Sequence, residues 1–187
     1  MSASPVKSRF LPYADALDRR ELAIIDLVVI HCTELPDLAT AREYGERIVY
    51  PDSRTGNSGH YYIERSGEIE QWVPLERVAH HVRGHNLNSI GIELVNRGRY
   101  PHWHDSRRQE MTEPYAEDQI RSLVRLVLRL RADLPGLKAL AGHESLDTER
   151  VPATDDGSLT VFRKRDPGPL FPWARLLDAT GLERLLA

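Results

Sequence analysis

Eight histidines punctuate the chain, at positions 31, 60, 80, 81, 85, 102, 104 and 143. Two of them stand where chemistry is usually placed. His31 closes the apolar run Leu27-Val28-Val29-Ile30, and His143 follows Lys138-Ala139-Leu140-Ala141-Gly142. In α/β proteins the ends of strands expose functional side chains. Asp166 lies in Arg165-Asp166-Pro167-Gly168-Pro169, a turn sequence that holds a carboxylate rigidly. Two imidazoles and one carboxylate form a three-ligand zinc set with a fourth position left for water, the pattern of a catalytic site. A closed structural site uses four protein ligands, usually with thiolates, and the chain has one cysteine, Cys32. Spacing alone leaves the assignment open. A histidine at a strand end is more often a hydrogen-bonded structural residue, and no HExxH pair is present.

The elements that must position these residues follow from periodicity. Residues 24–33 form an apolar, β-branched run that predicts a buried central strand. Residues 37–50 predict a short helix, and 51–59, rich in Asp, Ser, Gly and Asn, a loop. Strand patterns at 60–65 and 68–73 flank Ser66-Gly67, a hairpin signal. Residues 89–95 predict another strand, and 96–111, without periodicity, an excursion loop. Ile120, Leu123, Val124, Val127, Leu130 and Leu134 recur at helical steps, with Thr112 as the expected N-cap and Pro135-Gly136 as the stop. Residues 138–141 predict a strand, 149–160 a loop with a turn at Thr154 to Gly157, and 172–182 a terminal helix. Strands interleaved with helices around one mixed sheet make the class α/β.

Composition bounds the function. The 187 residues suit one domain, with 1–23 as an N-terminal extension. Hydrophobic residues at 41% and charged residues at 28% are enough to fill one core. A net charge of −3 gives no reason to expect nucleic acid or an anionic membrane as a partner. No apolar stretch approaches the roughly 20 residues that span a bilayer. The first fifteen residues lack the apolar core of an export signal. With one cysteine and no internal disulfide, a cytoplasmic monomer is the expectation.

Five ordered segments carry a resemblance: VVIHCT (28–33), SGHYYIERSGEIEQWVP (58–74), NSIGIELVN (88–96), AGHESL (141–146) and KRDPGPLFPW (164–173). Together they resemble the N-acetylmuramoyl-L-alanine amidases of the AmpD type, relatives of phage lysozyme-type amidases and of peptidoglycan recognition proteins. The resemblance covers about 24–175 and implies a central mixed sheet flanked by helices. It implies that His31, His143 and Asp166 hold one zinc ion, that Glu93 is the catalytic acid, and that Lys164 assists at the oxyanion. Lys164 thus stands out of Arg163-Lys164-Arg165, a triplet otherwise readable as a solvated basic turn. The implied substrate is a muropeptide or peptidoglycan fragment, in recycling its 1,6-anhydro form, cut between N-acetylmuramic acid and L-alanine. A non-catalytic binding module and an amidase of polymeric wall are the alternatives.

His60, His81, Arg83 and Asn88 are the candidate substrate contacts; His60 and Tyr61 are equally readable as sheet and core residues. Trp72, within a strand, is expected in the core, and His102, Trp103 and His104 in a polar loop could stack on substrate. The chain departs from the pattern at three places. His80 stands where the family often has Trp, and Cys32 where some recycling members have Asn. Gly59 stands where phage-type members use a catalytic tyrosine, which makes Glu93 the expected proton carrier. Cys32 should turn away from the face bearing His31 and stay buried. The segment containing Val151 to Phe162 is expected as a flap near the site.

Overall fold

A computed structural model describes residues 5–186. Residues 1–4 of the expected N-terminal extension, and residue 187, lie outside the described residues. Seven strands form one mixed sheet: β1 (Val6–Ser8), β2 (Leu27–Cys32), β3 (Tyr61–Ile63), β4 (Ile69–Gln71), β5 (Ser89–Leu94), β6 (Ala139–Gly142) and, last in the chain, β9 (Glu183–Arg184). Their order is β1-β4-β3-β5-β2-β6-β9. A separate two-stranded hairpin holds β7 (Arg150–Pro152) and β8 (Thr160–Phe162). The helices are α1 (Leu38–Gly45), α2 (Glu117–Asp133), α3 (His143–Leu146) and α4 (Trp173–Thr180).

Strand β2 is buried along its whole length because parallel neighbours, β5 and β6, flank it on both sides. Its period of two sorts the side chains. Val28 and Ile30, with Ile90, Ile92 and Leu94 of β5, face α2 in the main core. Leu27, Val29 and His31 face the other way, where Leu27 and Val29 pack on Val82 and Ala141. Strands β3 and β4 pair antiparallel, as the Ser66-Gly67 signal predicts, and Gly67 takes φ +84°. Trp72 is fully buried and stacks on Tyr62.

Two expectations are corrected. Helix α2 begins at Glu117, after Ala116, and not behind Thr112. Pro114 disfavours helical backbone at Glu113, whose side chain is bound to Arg65 and to the backbone N–H of Arg97. The residues 149–160 are not a loop throughout: they contain β7 and enter β8, with Val151 opposite Val161. The expected turn residues form the tip of that hairpin. Residues 5–20 of the N-terminal extension are built into the fold. β1 adds a parallel edge to β4, and Leu11, Tyr13 and Leu17 pack with Trp72 and Leu35 in a second core.

Candidate metal centre and its cleft

His31 stands at the penultimate position of β2 and His143 opens α3 directly after β6, so adjacent parallel strands deliver both imidazoles at the same end of the sheet. Asp166 arrives on the turn expected from its prolines. Its backbone carbonyl accepts from Glu144 N–H at 2.9 Å, and the next carbonyl, of Pro167, accepts from the Tyr115 hydroxyl at 2.7 Å. All three side chains are buried, and one ligand atom from each lies within 4.8 Å of the others. Asp166 Oδ2 is 2.9 Å from His31 Nδ1 and 3.1 Å from His143 Nδ1. Zinc bonds of about 2.0–2.1 Å in a tetrahedron give ligand-to-ligand edges of about 3.3 Å. These spacings fit a small tetrahedral cation. Asp166 Oδ1 is buried with no hydrogen-bond partner among the described residues, which also fits a site built for a ligand.

The electrostatics favour ligation. Burial, against the pull of Asp166, lowers His31 to about 4, so its ring is neutral. Burial alone would raise Asp166. The His143 imidazole beside it instead holds it well below the usual carboxylate range. Glu93 sits beside His31 in the β2–β5 register, and its Oε1 is 3.9 Å from His31 Nδ1. Burial and, second, the Asp166 charge raise Glu93 to about 8, with Lys164 pulling it down. Gly59 packs so close that an added Cβ would lie 2.9 Å from Glu93 Cγ and 3.1 Å from the Gly91 carbonyl oxygen. A side chain at 59 and this placement of Glu93 exclude each other.

The cluster lies in a cleft of about 760 Å³, to which His31, His143, Asp166, Glu93, Lys164, His81 and Arg83 contribute. Arg83 pairs with Glu149 at 2.8 Å beside the hairpin. Trp103, His104, Tyr44 and Tyr50 line the same cleft; His102 bonds Arg108. Two candidates do not reach it. His60 is fully buried: Gly91 N–H donates to its Nδ1 and Arg20 lies 2.7 Å from its Nε2. Asn88 precedes β5 and donates to Asp26 Oδ1 at 2.8 Å, at the opposite ends of strands whose far ends carry the cluster. Cys32 is buried on the face away from His31, beside Tyr115.

Sequence reasoning missed a buried brace. Arg99 forks onto Glu34, Nε to Oε1 at 2.7 Å and an Nη to Oε2 at 2.8 Å, and also donates to the carbonyls of Phe162 and Arg163. It ties the end of β2, the excursion loop and the segment entering Lys164. The hairpin is therefore no free flap: Thr154 N–H donates to His104 O, and Ser106 binds both oxygens of Asp155. Glu34 adopts φ +49°, an uncommon backbone for a side-chain-bearing residue and a local flag of strain.

Fold and site together define a mixed-sheet α/β protein with a buried His/His/Asp cluster able to hold a metal ion at the strand ends, open to a cleft. The model of the family Amidase_2, N-acetylmuramoyl-L-alanine amidase, matches residues 21–169, and the chain belongs to that family. It is similar to the N-acetylmuramoyl-L-alanine amidase AmiD of Escherichia coli K12, 35% identical over 134 residues, covering 64% of this chain and 43% of AmiD. It is also similar to the 1,6-anhydro-N-acetylmuramyl-L-alanine amidase AmpD of Salmonella typhimurium LT2, 30% identical over 127 residues, covering 63% of this chain and 54% of that protein. The matches thus span about half the length of these curated relatives. Among solved structures, E. coli AmiD in complex with the substrate anhydro-N-acetylmuramic acid-L-Ala-D-gamma-Glu-L-Lys superposes with a TM-score of 0.64 at 27% identity, over 86% of this chain and 58% of that one.

Proposed function

We propose that this protein is a zinc-dependent amidase that cleaves the amide between N-acetylmuramic acid, in its 1,6-anhydro form, and L-alanine of muropeptides. The observation that carries this is the convergence of His31, His143 and Asp166 within 4.8 Å, beside Glu93, in the open cleft of a chain of this family. The solved AmiD complex with an anhydro-muropeptide supports the substrate class.

His31, His143 and Asp166 would hold the ion. Zinc, when bound, supplies Lewis acidity that brings the pKa of a bound water to around 7 and polarises a carbonyl. The rest falls to this chain's own groups. Glu93 lies within reach of the cluster; burial and the Asp166 charge raise it to about 8, and the positive charge of a bound ion would bring it back toward the carboxylate that accepts a proton. It takes a proton from the attacking water and delivers it to the departing amine of L-alanine, a transfer worth about 10²–10⁴-fold. The Lys164 ammonium faces the cleft and offsets the negative charge that develops on the carbonyl oxygen. Arg83, Trp103 and Tyr50 on the walls contact glycan or stem peptide. We propose a monomer acting on soluble fragments in the cytoplasm; size-exclusion chromatography and cell fractionation read these two points.

The decisive experiment incubates zinc-loaded protein with anhydro-muropeptide and, separately, intact sacculi, and follows free stem peptide by mass spectrometry. Release from the small substrate supports recycling; faster release from sacculi replaces it with action on polymer. Binding without release supports a non-catalytic module. Glu93→Gln should keep stoichiometric zinc and lose at least about 10²-fold in turnover; full activity in that variant removes Glu93 from the mechanism.

A further inference from the structure

His31 uses one ring nitrogen toward the cluster. Its other nitrogen, Nε2, lies 3.0 Å from His81 Nδ1. His81 Nε2 lies 3.2 Å from the Ser89 hydroxyl, which donates to the His85 carbonyl at 2.6 Å. We propose that His81 and Ser89 are positioning residues: a one-directional hydrogen-bond relay behind His31 that presents its Nδ1 lone pair to the cation. This inference rests on the metal site proposed above.

The direction follows from counting protons. A serine hydroxyl has one, and Ser89 gives it to the His85 carbonyl, so toward His81 Ser89 can only accept. His81 must then carry its proton on Nε2 and offer the Nδ1 lone pair. His31 then donates Nε2–H into that lone pair and turns its Nδ1 lone pair to a bound cation; without one, Asp166 Oδ2 at 2.9 Å, which can only accept, draws a proton onto Nδ1 instead. The reverse arrangement would place a proton on His31 Nδ1 and exclude it as a ligand. The outer partner of a ligating histidine generally fixes its tautomer and ring orientation. His143 makes a useful contrast, since its Nε2 is buried and has no partner among the described residues.

The surroundings hold the relay in place. On β5 the face toward the relay reads Ser89, Gly91, Glu93. A Cβ at Gly91 would lie 2.6 Å from His81 Cγ, so the imidazole occupies space that only glycine leaves. Asn86 Oδ1 accepts from the backbone N–H groups of His81 and Val82 at 3.0 and 2.8 Å, clamping the turn that carries His81. Arg20 donates to the carbonyls of Asn86, Leu87 and Ser89, pinning the strand entry from a residue outside the family match. His81, named from the sequence as a substrate contact, thereby acquires a different task.

The test uses two readouts on the zinc-loaded protein. Long-range ¹H–¹⁵N imidazole correlations report the His81 tautomer, and competition with a chelating dye gives the zinc dissociation constant. The wild type should show His81 protonated on Nε2 alone. His81→Leu should weaken zinc by about 10- to 100-fold. His81→Gln, whose amide oxygen can accept from His31, should restore most of the affinity. Unchanged affinity in His81→Leu, no rescue by Gln, or wild-type His81 protonated on Nδ1 overturns the proposal. Should His81→Leu not fold, Ser89→Ala decides with the wild type: unchanged zinc affinity in that variant equally overturns it. A wild type that binds no zinc sinks the metal site, and the relay with it.

Discussion

Removing the charge of Glu34 should be among the costliest single changes in this molecule outside the apolar core. Its partner Arg99 is 1% exposed and Glu34 8%. Glu34→Ala leaves the guanidinium two backbone carbonyls and the Gln109 amide oxygen, but no anion. Breaking a buried pair from one side typically costs about 3–5 kcal/mol, because the remaining charge stays desolvated and uncompensated. For a protein of this size each kcal/mol moves the melting point by about 2–4 °C, so a fall on the order of 10 °C is expected. Arg99→Ala should cost a similar amount and also leave the Phe162 and Arg163 carbonyls short of donors. The double variant Glu34→Leu/Arg99→Met removes both charges and should recover much of the loss, since an apolar replacement of a buried pair is often neutral. Urea denaturation of wild type, Glu34→Ala, Arg99→Ala and Glu34→Ala/Arg99→Ala at pH 7 gives the coupling energy. Raising the salt to 1 M should leave it nearly intact, whereas the exposed Lys7–Glu68 pair should lose its coupling. Single variants each within about 1 kcal/mol of wild type, or a double variant whose cost is the sum of the two, would refute the brace.

Gly59→Ala places a methyl 2.9 Å from Glu93 Cγ; zinc content should hold while turnover falls by about 10²-fold, the scale of a misplaced catalytic group, and wild-type kcat would contradict the packing. His143→Ala should lose zinc and activity together, read by metal analysis of the purified variant; stoichiometric zinc would remove it from the ligand set. Burial first, then Arg20, lowers His60 to about 3 in the folded state. The unfolded chain therefore takes up a proton near pH 6.5 that the folded protein refuses, so stability is full above that pH and falls toward pH 3 by up to about 1.4 kcal/mol per unit. His60→Gln should flatten the pH slope of unfolding free energy by one proton between pH 4 and 6 in the metal-free protein; an unchanged slope would show that His60 is not the group refusing it.

The strands that carry His31, Glu93 and His143 were legible because burial on both faces writes an unmistakable apolar run. Their ends then point to the clustered positions. Asp166 was legible through its prolines. What the chain conceals is long-range pairing of polar groups. Arg20 sits in Asp18-Arg19-Arg20-Glu21, which reads as solvated, yet it is buried against three carbonyls. Glu34 and Arg99 lie 65 residues apart and carry no local signature of their union. Asn88 shows the opposite failure. It belongs to a segment of clear resemblance, but the parallel register puts it at the wrong end of its strand. The late start of α2 was written in Pro114, and periodicity alone overlooked it.

The neighbouring placement of His31 and Glu93 has a kinetic meaning. They meet only when β2 and β5 pair in parallel, two strands about sixty residues apart along the chain. Asp166 closes a still longer loop, 135 residues from His31. Parallel, non-local pairing is slow to nucleate, because loop-closure entropy is lost before any contact compensates it. No fragment of the chain can assemble this cluster ahead of the sheet. A nascent or partly unfolded molecule therefore presents scattered histidines in place of a competent centre, and appearance of the cation site should coincide with the last cooperative step of folding.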